Sequence, residues 1–331
     1  MLFNEWATQY WENQKEFIKE STLGVYLNIY RTHIKDYWEG VELDDISSMK
    51  TQLYLNHLVN KPMSNKPNIT LSKKTVQDIL IVFKAICYEA MRQGLMHEFT
   101  FHTKMPKSVR EIDEQTFKIV KDGDYEKLIR YCVENVDYAS VAIMIAIESG
   151  LRIGEVCGLT WDNVDFDNNI IKVRQILNRI LLPDGSTEIR ISEPKTKTSK
   201  RDIPMTSLLR ELLKAYKKTQ DCFETTYVNG KFKTTKVNNE GFVISCGKMK
   251  NVEPRTLRNA VYKVLTTCGI DYLHFHNLRH TFCSYGLKQG IDVKVMSELM
   301  GHTKTDITME VYTHISQEQK VDAINKLNKK L

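Results

Sequence analysis

Apolar positions in the first hundred residues recur at helical spacing. Phe3, Trp6, Tyr10 and Phe17 form one run, and Tyr26, Leu27, Tyr30, Ile34, Tyr37 and Trp38 form a second after an expected break at Gly24. A third run, Ile46 to Leu58, follows the acidic pair Asp44 and Asp45, either of which suits an N-cap. Ser72 precedes the strongest helical pattern, with Val76, Ile79, Leu80, Phe83, Ile86, Cys87 and Met91 on one broad face and Gly94 suited to its end. The pattern predicts a bundle of four or five helices, with no strand.

Periodicity is lost between about 101 and 118, where Pro106 and the cations Lys104, Lys107 and Arg110 stand. This reads as a connector, so the expected division is a helical domain over 1–104, a linker over 105–118, a second domain over 119–315 and a tail over 316–331. In the second domain, helical patterns near 122–134 and 137–149 lead into Gly150-Leu151-Arg152. Short β-type runs follow at Ile170 to Val173, Arg179 to Leu182 and Ile189 to Ser192, with a turn at Pro183-Asp184-Gly185 and an end at Pro204. A helix is expected over about 206–218, and helices return from 254. Residues 221–252 mix Gly, Asn, Lys and aromatics and fit no assignment. The expected fold class is mainly α with a small β-sheet (α+β).

Composition narrows the partners. A length of 331 residues with 42% hydrophobic side chains favours two domains with real cores. The formal charge of +6 permits nucleic-acid binding without demanding it, because acidic and basic residues are interleaved throughout. No apolar run reaches the roughly 18 residues of a membrane span, and the opening residues lack the form of a secretory signal. Seven scattered cysteines, odd in number, argue against a disulfide scaffold or a cysteine zinc site and point to a reducing cytoplasm. Neither a Gly-rich phosphate loop nor a metal-ligand cluster is present, so no cofactor and no metal are expected.

A few positions carry chemistry. Arg152 lies between Gly150 and Gly154 at a helix start, where a guanidinium fork can clamp an anion. His276 and Arg279 stand three apart, on one side of a helix. His302 follows Gly301 at an apparent turn, and Tyr312 lies ten residues later.

Taken together, Gly150-Leu151-Arg152-Ile153-Gly154-Glu155, His276-Asn277-Leu278-Arg279-His280, Met300-Gly301-His302 and Val311-Tyr312-Thr313-His314 resemble the tyrosine recombinase family of phage and mobile-element integrases and Xer-type recombinases. The resemblance covers about residues 110–315, and more loosely the helical N-terminal part. It implies an N-terminal SAM-like core-binding bundle and a C-terminal catalytic domain, closing on DNA as a C-shaped clamp. It further implies Tyr312 as the nucleophile that forms a 3′-phosphotyrosyl link, with Arg152 and Arg279 on the phosphate and His276 and His302 beside it. A lysine is expected in Pro194-Lys195-Thr196-Lys197-Thr198-Ser199-Lys200, with Lys195 preferred and Lys197 and Lys200 as competitors. Implied partners are double-stranded DNA with inverted core sites, a homo-tetramer on paired sites, and an accessory bending or directionality factor. The tail carries Val321, Ile324, Leu327 and Leu331 on one side, for docking on a neighbouring protomer or for packing on its own domain. Lys104, Lys107 and Arg110 are either DNA-backbone contacts or parts of an exposed connector. The chain starts almost directly with the bundle, which fits a recombinase acting on core sites without an arm-site domain. Integration, excision, dimer resolution and a type IB topoisomerase-like activity all remain open, as does a regulator that has lost catalysis.

Overall fold

A computed structural model describes residues 1–63, 66–111, 118–194, 196–220, 223–228, 231–236, 241–246 and 250–302. The chain divides into two compact units, Met1–Thr116 with Ile180–Glu188, and Phe117–Arg179 with Ile189–Leu331.

The first unit contains α1 (Phe3–Gln14), α2 (Glu20–Ile29), α3 (Ser48–Asn60), a small hairpin of β1 (Pro62–Met63) and β2 (Lys66–Thr70), and α4 (Lys73–Arg92). Three sequence expectations are corrected. Helix α2 runs through Gly24 rather than breaking there, because the absent side chain makes room for the Leu181 carbonyl oxygen, 2.0 Å from where a Cβ would stand. Helix α3 is capped by Ser47, whose hydroxyl accepts the Lys50 N–H at 3.3 Å, while Asp44 and Asp45 lie in a short 3₁₀ turn before it. The β1–β2 hairpin is a strand pair that the helical pattern did not announce. Ser72 caps α4 as expected, accepting from the Thr75 N–H. The core is aromatic: Trp38 stacks on Phe83 with centroids 4.8 Å apart and meets Tyr54 edge-on at 5.4 Å.

In the second unit, α5 (Asp122–Glu134) is followed by α6 (Tyr138–Ser149), whose residues from Ala139 to Ile147 are all buried. A helix apolar on every side belongs at the centre of a core, and α6 is the element on which α5, α8, α9 and α10 pack. Next come α7 (Ile153–Gly158), β3 (Val164–Asp165), β4 (Ile170–Val173), β5 (Ile176–Leu181) and β6 (Thr187–Ser192), whose residues 180–188 count with the first unit, then β7 (Arg201–Pro204) and α8 (Ser207–Thr219). Strands β3, β4 and β7 form an antiparallel sheet in which Ile171 faces Ile203 and Val173 faces Arg201, while β5 pairs with β6. The unassigned stretch holds an antiparallel hairpin, β8 (Phe223–Val228) with β9 (Lys231–Lys236), and the short pair β10 (Ser245–Cys246) with β11 (Lys250–Asn251). Its Thr- and Lys-rich alternation hid the strand signal. Helices α9 (Pro254–Thr267), α10 (Phe275–Lys288) and α11 (Val293–Met300) complete the described part.

Candidate active site

Arg152 is the residue before α7, and Glu155, at the third position of that helix, reaches back to accept the Arg152 backbone N–H at 2.9 Å. The same carboxylate accepts the Arg152 guanidinium, Nη1 to Oε1, at 3.0 Å. Glu155 therefore holds both the backbone and the side chain of a half-exposed arginine.

Helix α10 presents His276 and Arg279 one turn apart. Arg279 is 1% exposed; its Nη1 donates to the Gly150 carbonyl at 2.5 Å and its Nη2 to the Met300 carbonyl. Its Nε is buried and has no acceptor among the described residues. Burial, then the charges of Arg152 and Arg201, pull Arg279 down to about 9, a cationic site in want of an anion.

Helix α11 ends in a Schellman motif. Gly301 takes the left-handed conformation at φ 64°, its N–H donates to the Glu298 carbonyl, and the His302 N–H donates to the Ser297 carbonyl, each at 3.0 Å. That turn delivers His302 beside the arginines, and Arg152 Nη2 approaches the Gly301 carbonyl at 3.4 Å. Position 301 is fit for glycine alone, since a Cβ would stand 3.0 Å from both Arg201 Nη1 and the Thr198 carbonyl.

His276 lines a cavity of about 450 Å³ together with Arg152, Gly154, Asn178, Pro194 and Ser199. Withdrawal from solvent, then Arg279 and Arg152, hold His276 down to about 4. Burial, then Arg279, Arg152, His276 and Arg201, do the same for His302, also about 4. Both rings are thus neutral near pH 7 and able to accept or donate a proton. His280 meets His276 edge-on at 4.5 Å.

Four of the six candidates, Arg152, His276, Arg279 and His302, thus surround one helix end. Lys195 and Tyr312 lie outside the described residues, as do the 316–331 tail and the Lys197 side chain. Lys200 pairs with Glu193 at 2.8 Å. Among the proposed backbone contacts, Arg110 is engaged within its own unit: its Nε donates to the Thr70 carbonyl at 2.8 Å and its carbonyl accepts the Lys73 N–H at 2.9 Å. Lys104 and Lys107 are exposed. Two residues escaped the sequence reading. Glu155 was signalled only by its capping spacing from Arg152, and Arg201, buried against Glu155, is indistinguishable in sequence from the cations around it. Among the described residues no group of three or more His, Cys, Asp or Glu side chains is placed to hold a metal ion, and no helix is long and apolar enough to cross a membrane.

Comparison with known proteins reaches the same region. A XerC-like tyrosine recombinase of Caldanaerobacter subterraneus subsp. tengcongensis is 27% identical over 94% of this chain and 78% of its own length. The Tn1549 transposon integrase, solved in complex with a circular intermediate DNA, superposes with a TM-score of 0.75 at 20% identity, covering 98% of this chain and 99% of that one. The λ integrase tetramer bound to a Holliday junction gives 0.62 at 16% identity, over 93% of this chain and 76% of the other. Residues 2–59 match the phage integrase N-terminal SAM-like domain. Residues 118–319, which hold every position of the candidate site, match the phage integrase family, and the chain belongs to that family.

Proposed function

We propose that this chain is a site-specific recombinase that cuts and rejoins duplex DNA through Tyr312. The Tyr312 hydroxyl attacks the scissile phosphorus, a tyrosyl oxygen–phosphorus bond forms, and the bond to the 5′ oxygen breaks. Lys195 protonates the departing oxygen, and His276 or His302, neutral in the free protein, takes the tyrosine proton. A 5′-hydroxyl from another strand then attacks the phosphotyrosine, reverses the step and frees Tyr312. Arg152 and Arg279 hold the non-bridging oxygens and offset the charge that grows on them. No metal takes part in this scheme. The observation that carries the reading is the convergence of Arg152 and Arg279 on the adjoining carbonyls of Gly301 and Met300, where the chain delivers His302.

Affinity comes from Lys and Arg contacts to phosphates, with Lys104 and Lys107 among the contributors. The proteins solved on DNA as circular-intermediate and Holliday-junction complexes support paired duplex sites and a homo-tetramer for this chain too. The tail over 316–331 docks on a neighbouring protomer, an accessory bending or directionality factor acts on the same DNA, and the work takes place in the cytoplasm. The test incubates the protein in EDTA with duplex fragments flanking its own gene, beside Tyr312→Phe, on denaturing gels. A protease-sensitive protein–DNA adduct with wild type alone is expected. An adduct that persists in Tyr312→Phe overturns the assignment, and one abolished by EDTA overturns metal independence.

A further inference from the structure

The end of α11 exposes three consecutive carbonyls, and each accepts from a different arginine. Gly301 accepts from Arg152, Met300 from Arg279, and Leu299 from Arg201, whose Nε lies 2.6 Å from that oxygen. The last carbonyls of a helix lack intrahelical partners and form the negative end of its dipole, so a set of guanidinium groups is well matched to them. Arg152 and Arg279 keep donors for a phosphate, but Arg201 is occupied. Besides Leu299, its Nη1 donates to Glu155 Oε1 at 3.1 Å and to the Ser199 carbonyl at 3.2 Å, and its Nη2 donates to Glu155 Oε2 at 3.0 Å. Its side chain is 7% exposed, and its backbone is fixed as the first residue of β7, paired with Val173 of β4.

We propose that Arg201 is a positioning residue for strand cleavage: it joins Glu155, the turn that carries His302 and the short turn ending at Ser199 into one rigid frame around the phosphate site. The proposal rests on the reading of Arg152 and Arg279 as the phosphate clamp. Glu155 shares each of its oxygens between Arg201 and Arg152. Desolvation pushes its carboxyl up, but the Arg201 hydrogen bonds and charge, followed by those of Arg152, outweigh it and keep the group ionised. Without Arg201, a buried carboxylate is left with Arg152 alone and draws that guanidinium inward, away from a phosphate. Lysine cannot replace the frame, because a single ammonium on a flexible stem does not span two carboxylate oxygens and two carbonyls at once.

The full-length Arg201→Lys protein is compared with wild type and Arg152→Gln for thermal melting, DNA binding by gel shift, and single-turnover adduct formation on the duplex that wild type cleaves. Arg201→Lys is expected to bind that duplex as wild type does while forming adduct on the order of 100-fold more slowly, as for a misplaced reacting geometry. A second substrate carries an uncharged methylphosphonate at the mapped scissile position. The defect is expected to shrink there, because a centre with one fewer charge asks less of Arg152. A lesion of the fold alone would slow both substrates equally, and that outcome overturns the proposal. If Arg201→Lys does not fold, the charge-balanced Glu155→Gln/Arg201→Gln protein takes its place with the same criteria. Wild-type cleavage by either folded variant, with Arg152→Gln dead, overturns Arg201 alone. Wild-type cleavage by Arg152→Gln removes the clamp itself, and the proposal with it.

Discussion

The two units differ in whether they bury charge. Among the described residues the first buries Thr51 and Ser72, both hydroxyls used locally: Thr51 Oγ1 donates to the Ser47 carbonyl at 2.8 Å, and Ser72 caps α4. The second buries Glu155, Arg201 and Arg279 in addition to Ser140, Ser149, Asn277, Thr281 and Ser297. Taking an ion from water costs several kcal/mol even after relaxation, so a buried charge cluster is a weak route to stability. The aromatic core of the first unit holds its helices together with no buried charge among the described residues. On the function proposed above, the second carries that cost so that its charges are already aimed when a phosphate arrives.

If that contrast holds, the largest stability loss follows from opening the aromatic core. Trp38→Ala should destabilise the first unit by about 3–5 kcal/mol, the usual range for a large buried aromatic. Urea unfolding read by hydrogen exchange on peptides from 1–111 measures it. Trp38→Phe should cost far less, since Trp38 Nε1 has no acceptor among the described residues and only ring volume is at stake. Similar costs for the two substitutions would show that the core is not held by packing.

Arg279→Gln tests the other half. Removing one preorganised cationic donor should slow adduct formation by about 10²–10³-fold, roughly 2.7–4 kcal/mol of transition-state stabilisation. DNA affinity, which is spread over many phosphate contacts, should hardly change. A large loss of binding with an unchanged single-turnover rate would mean that Arg279 serves docking and not chemistry.

Acid should divide the units more gently. In the second unit His276, His280 and His302 are each held down to about 4, burial being the first cause in all three. In the first, His33 is also held down to about 4, by burial and then by Lys61. A depressed histidine means that the unfolded chain takes up protons near pH 6.5 that the folded chain refuses. Its contribution is therefore complete above about pH 6.5 and fades as pH falls toward 4. Thermal melting from pH 7 to 5 should weaken exchange protection in 118–302 more than in 1–111, and His276→Asn/His302→Asn should flatten that slope. An unchanged slope in the double variant would assign acid sensitivity elsewhere.

The residues themselves explain how much of this was readable in the chain. Helices α4 and α6 announce themselves, one by a 3.6-residue stripe from Val76 to Met91 and the other by an unbroken apolar run before Gly150. Arg152, His276, Arg279 and His302 stood out because Arg152 lies between Gly150 and Gly154, His276 and Arg279 stand three apart, and His302 follows Gly301. Arg201 did not, since its role comes from a long-range meeting of β7 with α11 and Glu155 that no local spacing encodes. The continuity of α2 through Gly24 escaped for the same reason: the carbonyl that requires a glycine belongs to Leu181, far along the chain.

The smallest effect tests a distinction within the first unit that pattern alone got wrong. Three residues before α3 have side chains able to cap it. Only Ser47 has the extended backbone of a cap, at φ −133° and ψ 168°, with its hydroxyl on the Lys50 N–H. Asp44 instead accepts the His97 N–H at 3.2 Å, and Asp45 faces Lys50 across 3.6 Å with both side chains exposed. Ser47→Ala should therefore cost about 1 kcal/mol, since it leaves a helix-start N–H without its acceptor. Asp45→Ala removes only a surface pair of about 0–1 kcal/mol and should lie at the bottom of that range. Urea midpoints at low and high salt separate the two, because a cap resists screening and an exposed ion pair does not. If Asp45→Ala proves the costlier change and its cost vanishes in salt, the start of α3 is held by charge and not by the serine. The first unit would then depend on electrostatics after all, and its contrast with the second would narrow.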